Sequence, residues 1–168
     1  VTAVAASPDG SMLAYAVEPG NTGYIEIVRW PSLAPVARFK RWAFRLQWST
    51  DGRWLAIASA KDRAVLYDVQ SRTTHDFNTH DDVHDVAPVA GRPGVAIVAG
   101  DSNQMTLVDI VHHKELATGP DMGRDVRAAV HDPVHGRLVA GGDANSIHWY
   151  SEKAPETPLF TRTFKADI

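Results

Sequence analysis

The chain has 168 residues, 44% of them hydrophobic and 22% charged, which is the composition of an ordinary globular protein with a real core and excludes disorder. A net charge of -3 and a pI near 6.2 provide no basic excess to neutralise phosphates, so nucleic acid is not an expected partner. The absence of cysteine excludes disulfides, thiol nucleophiles and cysteine-ligated zinc, and no apolar run approaches the roughly 18 residues of a membrane-spanning helix.

In chain order, the first short apolar run is TAVAAS; the turn SPDG with Gly10 follows, then SMLAYAV, a third run over 24–28 and a weaker fourth over 36–39. The second unit repeats this plan with FRLQWS, STDG at Gly52, RWLAIAS, 64–68 and 73–77. The third has HDVAPVA, GRPG at Gly94, VAIVAG, 105–109 and 114–117, and the fourth has VRAAVH, PVHG at Gly136, RLVAGG, 147–151 and 159–163. The four glycines recur every 42 residues, a period that fits a four-stranded blade. Each glycine sits where a tight hairpin demands positive φ. No stretch sustains helical periodicity for three turns, because glycine, proline or an Asp-containing turn interrupts the chain about every ten residues. The polar fourth runs suit an outer sheet edge, where charge discourages pairing with other chains.

In the second unit, KDRAVLYDVQSRTTHDF resembles the WD-repeat pattern, in which a strand ends in an aromatic and Asp before a turn; Tyr67-Asp68 stands where Trp-Asp would be. Val108-Asp109 and Tyr150-Ser151 keep half of that pair each, and Val28-Arg29 keeps neither. Thr79-His80 stands where the family has its glycine-histidine dipeptide, and SPDG and STDG match its first hairpin. The looser YVTN-like and quinoprotein-like propellers share these features. The resemblance implies an all-β propeller of four consecutive antiparallel blades, approximately 1–40, 41–82, 83–123 and 124–168, in a single partial domain belonging to a seven- or eight-bladed ring. An open end blade would expose about 500 Å² of apolar surface, worth on the order of 10 kcal/mol. The missing blades are therefore expected from more of the parent chain, from a partner or from a second copy. The start at Val1 and the end at Ile168, where a next first strand would begin, fit an excised piece. The expected compartment is the cytoplasm, with the periplasm and the extracellular space left open.

The candidate site residues follow from position in the repeat. Trp42 and Arg45, beside Lys40 and Arg41, occupy a connection before a first strand, and Trp and Arg are enriched in interface hot spots. His84 and Asp85 in the third unit and Asp125 and Arg127 in the fourth hold comparable places. His80, Asp82 and His84 form an H-x-D-x-H run with three metal-capable side chains on one strand face, yet ligands one strand step apart reach only one edge of an ion, so no metal is expected. His112-His113 and the group His131, Asp132 and His135 read as polar turn residues. Trp48 and Trp54 read as core, with Trp42, Phe44, Leu46 and Trp48 alternating on a buried face; Trp30-Pro31 reads as a strand end packed over its blade. No nucleophile-elbow, zinc-protease or phosphate-loop motif occurs, so neither catalysis nor a cofactor is expected. The resemblance implies a scaffold that binds a protein or peptide through loops at one ring face. The alternative is a small-molecule or metal site in the central channel, drawing on Arg45, His84, Arg127 and His131.

Overall fold

The computed structural model describes residues 1–18, 23–59 and 62–165; the expected start of a further strand at 166–168 lies outside the described residues. Its strands form four antiparallel sheets of four strands each, and every sheet runs in chain order. The first holds β1 (Ala3–Ala6), β2 (Met12–Val17), β3 (Tyr24–Arg29) and β4 (Pro35–Lys40); the second holds β5 (Arg45–Trp48), β6 (Trp54–Ser59), β7 (Arg63–Asp68) and β8 (Thr73–Asn78). The third holds β9 (Val83–Pro88), β10 (Val95–Gly100), β11 (Met105–Asp109) and β12 (Lys114–Thr118), and the fourth β13 (Val126–Asp132), β14 (Arg137–Gly142), β15 (Ser146–Ser151) and β16 (Ala154–Thr163). The first strands β1, β5, β9 and β13 adjoin one another in that order, so the sheets are radial blades of an all-β propeller.

Short polar side chains build the turns. Ser7 Oγ donates to Asp9 Oδ1 at 2.6 Å while the N–H of Ser11 bonds the same carboxylate, and Ser49 and Asp51 repeat the arrangement at 2.5 Å with the N–H of Arg53. Such Asp turns compete with the ladder and end the strand. Gly10, Gly52, Gly94 and Gly136 all have positive φ, as the hairpins require. At the end of the third strand, Asp68 accepts the N–H groups of Gln70 and Ser71, Asp109 accepts that of His112, and Ser151 Oγ accepts that of Lys153. Ser151 thus performs the turn-capping task without the acid.

The core consists of three seams between successive blades. Ile25 and Ile27 of the first blade meet Leu55, Ile57 and Val65 of the second; Leu66 and Ala58 meet Val86, Val98 and Val108; Ile97 and Met105 meet Leu138 and Tyr150. The residue before each turn acid points back to the preceding blade, and Tyr67 there stacks on Phe39 at 5.1 Å.

Among the described residues, the outward faces of the first and fourth sheets have no sheet against them. The paired positions Ala14↔Ile27, fully buried in the first seam, recur in the fourth blade as Val139↔Trp149, which are only partly buried. Val130 and Phe160 beside them are 52% and 57% exposed. On the opposite side of the array, Tyr15 donates to Glu26 at 2.8 Å, and Arg38 lies 4.0 Å over the Tyr24 ring.

Trp54 is buried, and Trp48 is half-buried with its indole N–H on the Ala5 carbonyl at 3.1 Å. Phe44 departs from the expected buried alternation: it precedes β5 and is 53% exposed. Trp30 does end the third strand, with its N–H on the Ser11 carbonyl at 2.8 Å, but its side chain is 56% exposed where packing over the blade was expected.

Candidate binding face

At one ring face, the connections between blades meet the turns that join second and third strands. The innermost strands β9 and β13 each carry a bulge at this end, since the ladder shifts between Ala99 and Gly100 and between Val126 and Ala128. The bulged residues are His84 and Arg127. Each belongs to the same tripeptide, Asp82-Val83-His84 or Asp125-Val126-Arg127, with the valine fully buried as the anchor. Only glycine fits opposite. A β-carbon on Gly100 would lie 2.1 Å from the Asp82 carbonyl oxygen, and one on Gly142 would lie 2.0 Å from that of Asp125. The aspartate after each glycine closes the motif: Asp101 N–H bonds the Asp82 carbonyl and Asp143 N–H bonds that of Asp125, both at 3.0 Å.

The bulged side chains then meet those aspartates. His84 Nε2 lies 2.5 Å from Asp101 Oδ1, and the Arg127 guanidinium donates to Asp143 at 2.8 Å and to Asp125 at 2.7 Å. Arg127 Nη1 also lies 2.6 Å from His84 Nε2, which joins the two blades. One imidazole nitrogen cannot serve both neighbours; with its proton turned to Asp101, the guanidinium is held by the two carboxylates. The Arg127 contact holds the Asp143 carboxyl below its usual range, and Asp143 in turn raises Arg127. The cluster remains open to solvent, with the Arg127 side chain 44% exposed.

Among the described residues, the metal-capable atoms that converge belong to His84, Asp101 and Asp125, within 4.8 Å of one another. The Arg127 guanidinium bonds into that group and takes the place a cation would hold. His80 and Asp82 serve the connection instead: His80 has positive φ with its N–H on Asn78 Oδ1, and the Asp82 carbonyl closes the bulge.

Asp85, adjacent to His84, is fully buried and does not reach the ring surface. Its Oδ1 accepts Gln47 at 2.8 Å and the Val86 N–H at 3.0 Å; its Oδ2 accepts the Ala129 N–H at 3.0 Å and Arg45 at 3.3 Å. The carboxylate therefore ties the innermost strands of three blades together, and burial pushes its pKa up against the pull of these donors. Arg45 reaches inward to it while remaining half-exposed. Trp42 is half-buried, its ring so close over Gly23 that a β-carbon there would lie 2.8 Å away, and Arg41 beside it pairs with Asp76 at 2.7 Å. His131 is not with Arg45, His84 and Arg127. It accepts the Ala90 N–H at 2.9 Å and contacts Glu152, sealing the far end of the seam between the third and fourth blades.

No sequence-family model matches the chain, and no curated protein matches it in sequence. Solved structures do match in fold. The β-propeller domain of Cps50 (Swd1) from Myceliophteria thermophila aligns with a TM-score of 0.81 at 18% identity, over 98% of this chain and 56% of that one. A chain of the mitotic checkpoint complex aligns with a TM-score of 0.79 at 18% identity, over 97% of this chain and 49% of that one. The fold is that of a β-propeller. The chain spans about half the length of the propellers it matches.

Proposed function

We propose that the chain is a non-catalytic interaction scaffold, part of a larger WD-repeat-like ring, whose face around Arg127 and His84 receives a protein or peptide segment. The observation that carries this reading is the repeated Asp-Val-basic bulge, which sets two basic side chains from successive blades side by side at a solvent-exposed ring face. Fixed donors and acceptors on a rigid sheet scaffold suit recognition of an extended segment, because little entropy is lost in ordering them. That a similar propeller occurs within the mitotic checkpoint complex supports a role in assembly. The two outward blade faces are read as surfaces for further blades, whether from the same chain, a partner or a second copy.

Selection of binders from a displayed peptide library on the purified chain, followed by measurement with Arg127→Ala and Arg45→Ala, tests the proposal. Peptides that bind the native chain and lose at least about tenfold in affinity with Arg127→Ala support it. Peptides indifferent to Arg127, His84, Arg45 and Trp42 variants would remove this face from consideration.

A further inference from the structure

We infer that the cleft between the second and third blades receives a basic side chain, lysine or arginine, presented by an extended protein segment. The choice of a protein segment rests on the scaffold reading above; the selectivity for a cation does not.

The cleft is a consequence of side-chain size at one repeated position. In the first seam this position is Tyr67, stacked on Phe39, and in the third it is Tyr150, fully buried near Gly119 and Met105. In the middle seam it is Val108, and Phe77 stands where Phe39 stands in the first, as the pairings Ile25↔Phe39 and Ala64↔Phe77 show. An isopropyl group in place of a phenol ring does not reach outward along the seam, so Val108 is itself fully buried while a recess remains beside Phe77. The connection above differs as well. Trp42 covers Gly23 beside the first seam, whereas the connection into β9 brings His80, Asp81 and Asp82 and no indole. The result is a cavity of about 370 Å³, large enough for a long side chain.

Its lining specifies the occupant. Phe77 provides the accessible apolar wall, with Val98 and Val108 buried beneath it, while Asp81, Asp82 and Glu115 line the cavity together with the imidazole of His80, and no lysine or arginine is among the described residues around it. The Thr118 hydroxyl donates to Glu115 at 2.6 Å and fixes that carboxylate at the wall. An aliphatic stem that ends in a cation satisfies both parts, since lysine and arginine lay methylenes on apolar surface and keep the charged head among acceptors. A neutral apolar group would cover the apolar wall but strip water from the carboxylates without replacing it. The cleft shares the connection at 78–82 and the turn around Ser102 with the ring face that holds Arg127, so one extended segment can engage both.

The test is calorimetric or NMR titration of the purified chain with the capped pentapeptide Gly-Ala-Arg-Ala-Gly and with the same peptide carrying citrulline, a neutral isostere, in place of arginine. The arginine peptide should bind saturably, the citrulline peptide at least about tenfold more weakly. Glu115→Gln should narrow that difference. Val108→Tyr and Val108→Phe restore the missing ring; they should abolish binding while leaving the chain folded with a raised melting temperature. Equal binding of the two peptides, no saturation at millimolar concentration, or retained binding in both Val108 variants overturns the inference. Retention in the Val108 variants together with loss in Arg127→Ala would overturn the cleft while leaving the ring-face reading intact.

Discussion

Asp85 on the third blade accepts the backbone N–H of Ala129 on the fourth at 3.0 Å, a bond that spans 44 residues of chain. The same carboxylate holds Gln47 and Arg45 of the second blade, so one buried group keeps three innermost strands in register. Asp85→Ala would leave these donors without an acceptor, and a loss of about 3 kcal/mol is expected in denaturant unfolding. Asp85→Asn tests the charge. Because burial raises the native carboxyl, the folded state binds its proton more tightly than the unfolded chain, and this contribution declines as pH rises above 3.8 through the folded value. The Asn variant should lack that decline; an unchanged stability slope would mean that Asp85 is not desolvated as the geometry requires.

Asp9 has the opposite sign. The Ser7 hydroxyl, followed by the N–H and hydroxyl of Ser11, lowers its carboxyl from 3.8 to about 2. Its contribution is complete above 3.8 and lost as pH falls toward about 2. Asp9→Asn should therefore lower the melting temperature near neutral pH, with the gap closing across that acid window. Thermal unfolding at stepped pH checks this directly.

The Tyr150 hydroxyl is buried without a hydrogen-bond partner among the described residues, and burial pushes its pKa up to about 12. Tyr150→Phe removes an unsatisfied polar atom and keeps the ring that fills the third seam, so stability should be unchanged or rise by about 1 kcal/mol. In ultraviolet titration, the variant should lack the most alkaline phenol transition of the native chain. A loss of stability would reveal a partner for the hydroxyl.

Gly142→Ala should displace the Asp125 carbonyl, which a β-carbon would approach to 2.0 Å, and with it the bulge that aims Arg127. Backbone cannot yield as a flexible side chain does. A loss of 2 kcal/mol or more, about the scale of a severe core clash, is expected together with loss of any binding that depends on Arg127. Wild-type binding in this variant would show that the bulge does not set the face.

The uncovered face of the fourth blade, with Val130, Val139, Trp149 and Phe160, should drive association of the isolated chain. Val130→Glu and Phe160→Ser should reduce both the sedimentation coefficient and the binding of a hydrophobic dye. Sedimentation of the native chain as a monomer with no dye binding would contradict this.

The repeat, the strand order within each blade and the glycine turns were legible from spacing alone, because each depends on residues within one 42-residue unit. The candidate site was legible only in part. Arg127 and His84 stood out by position, and the recurrence of Asp-Val-basic at the start of the first strand in the third and fourth units, with Gly-Asp at the end of the second, was a signal that could have linked them to Asp143 and Asp101. Asp85, one residue from His84, looked equally eligible as a surface group, because a bulge changes which side chains point to the ring face and no period-2 pattern reveals it.

Amino-acid order by itself determined the elements: short apolar runs, turn aspartates and glycines act over a few residues, so local chemistry suffices to choose strand or turn. Tertiary structure alone decided which charges became structural and which remained available, and where a seam was left open. Those outcomes depend on what a neighbouring blade places within a few ångströms, as when Ala129 captures Asp85 and Phe77 faces Val108 in place of a ring.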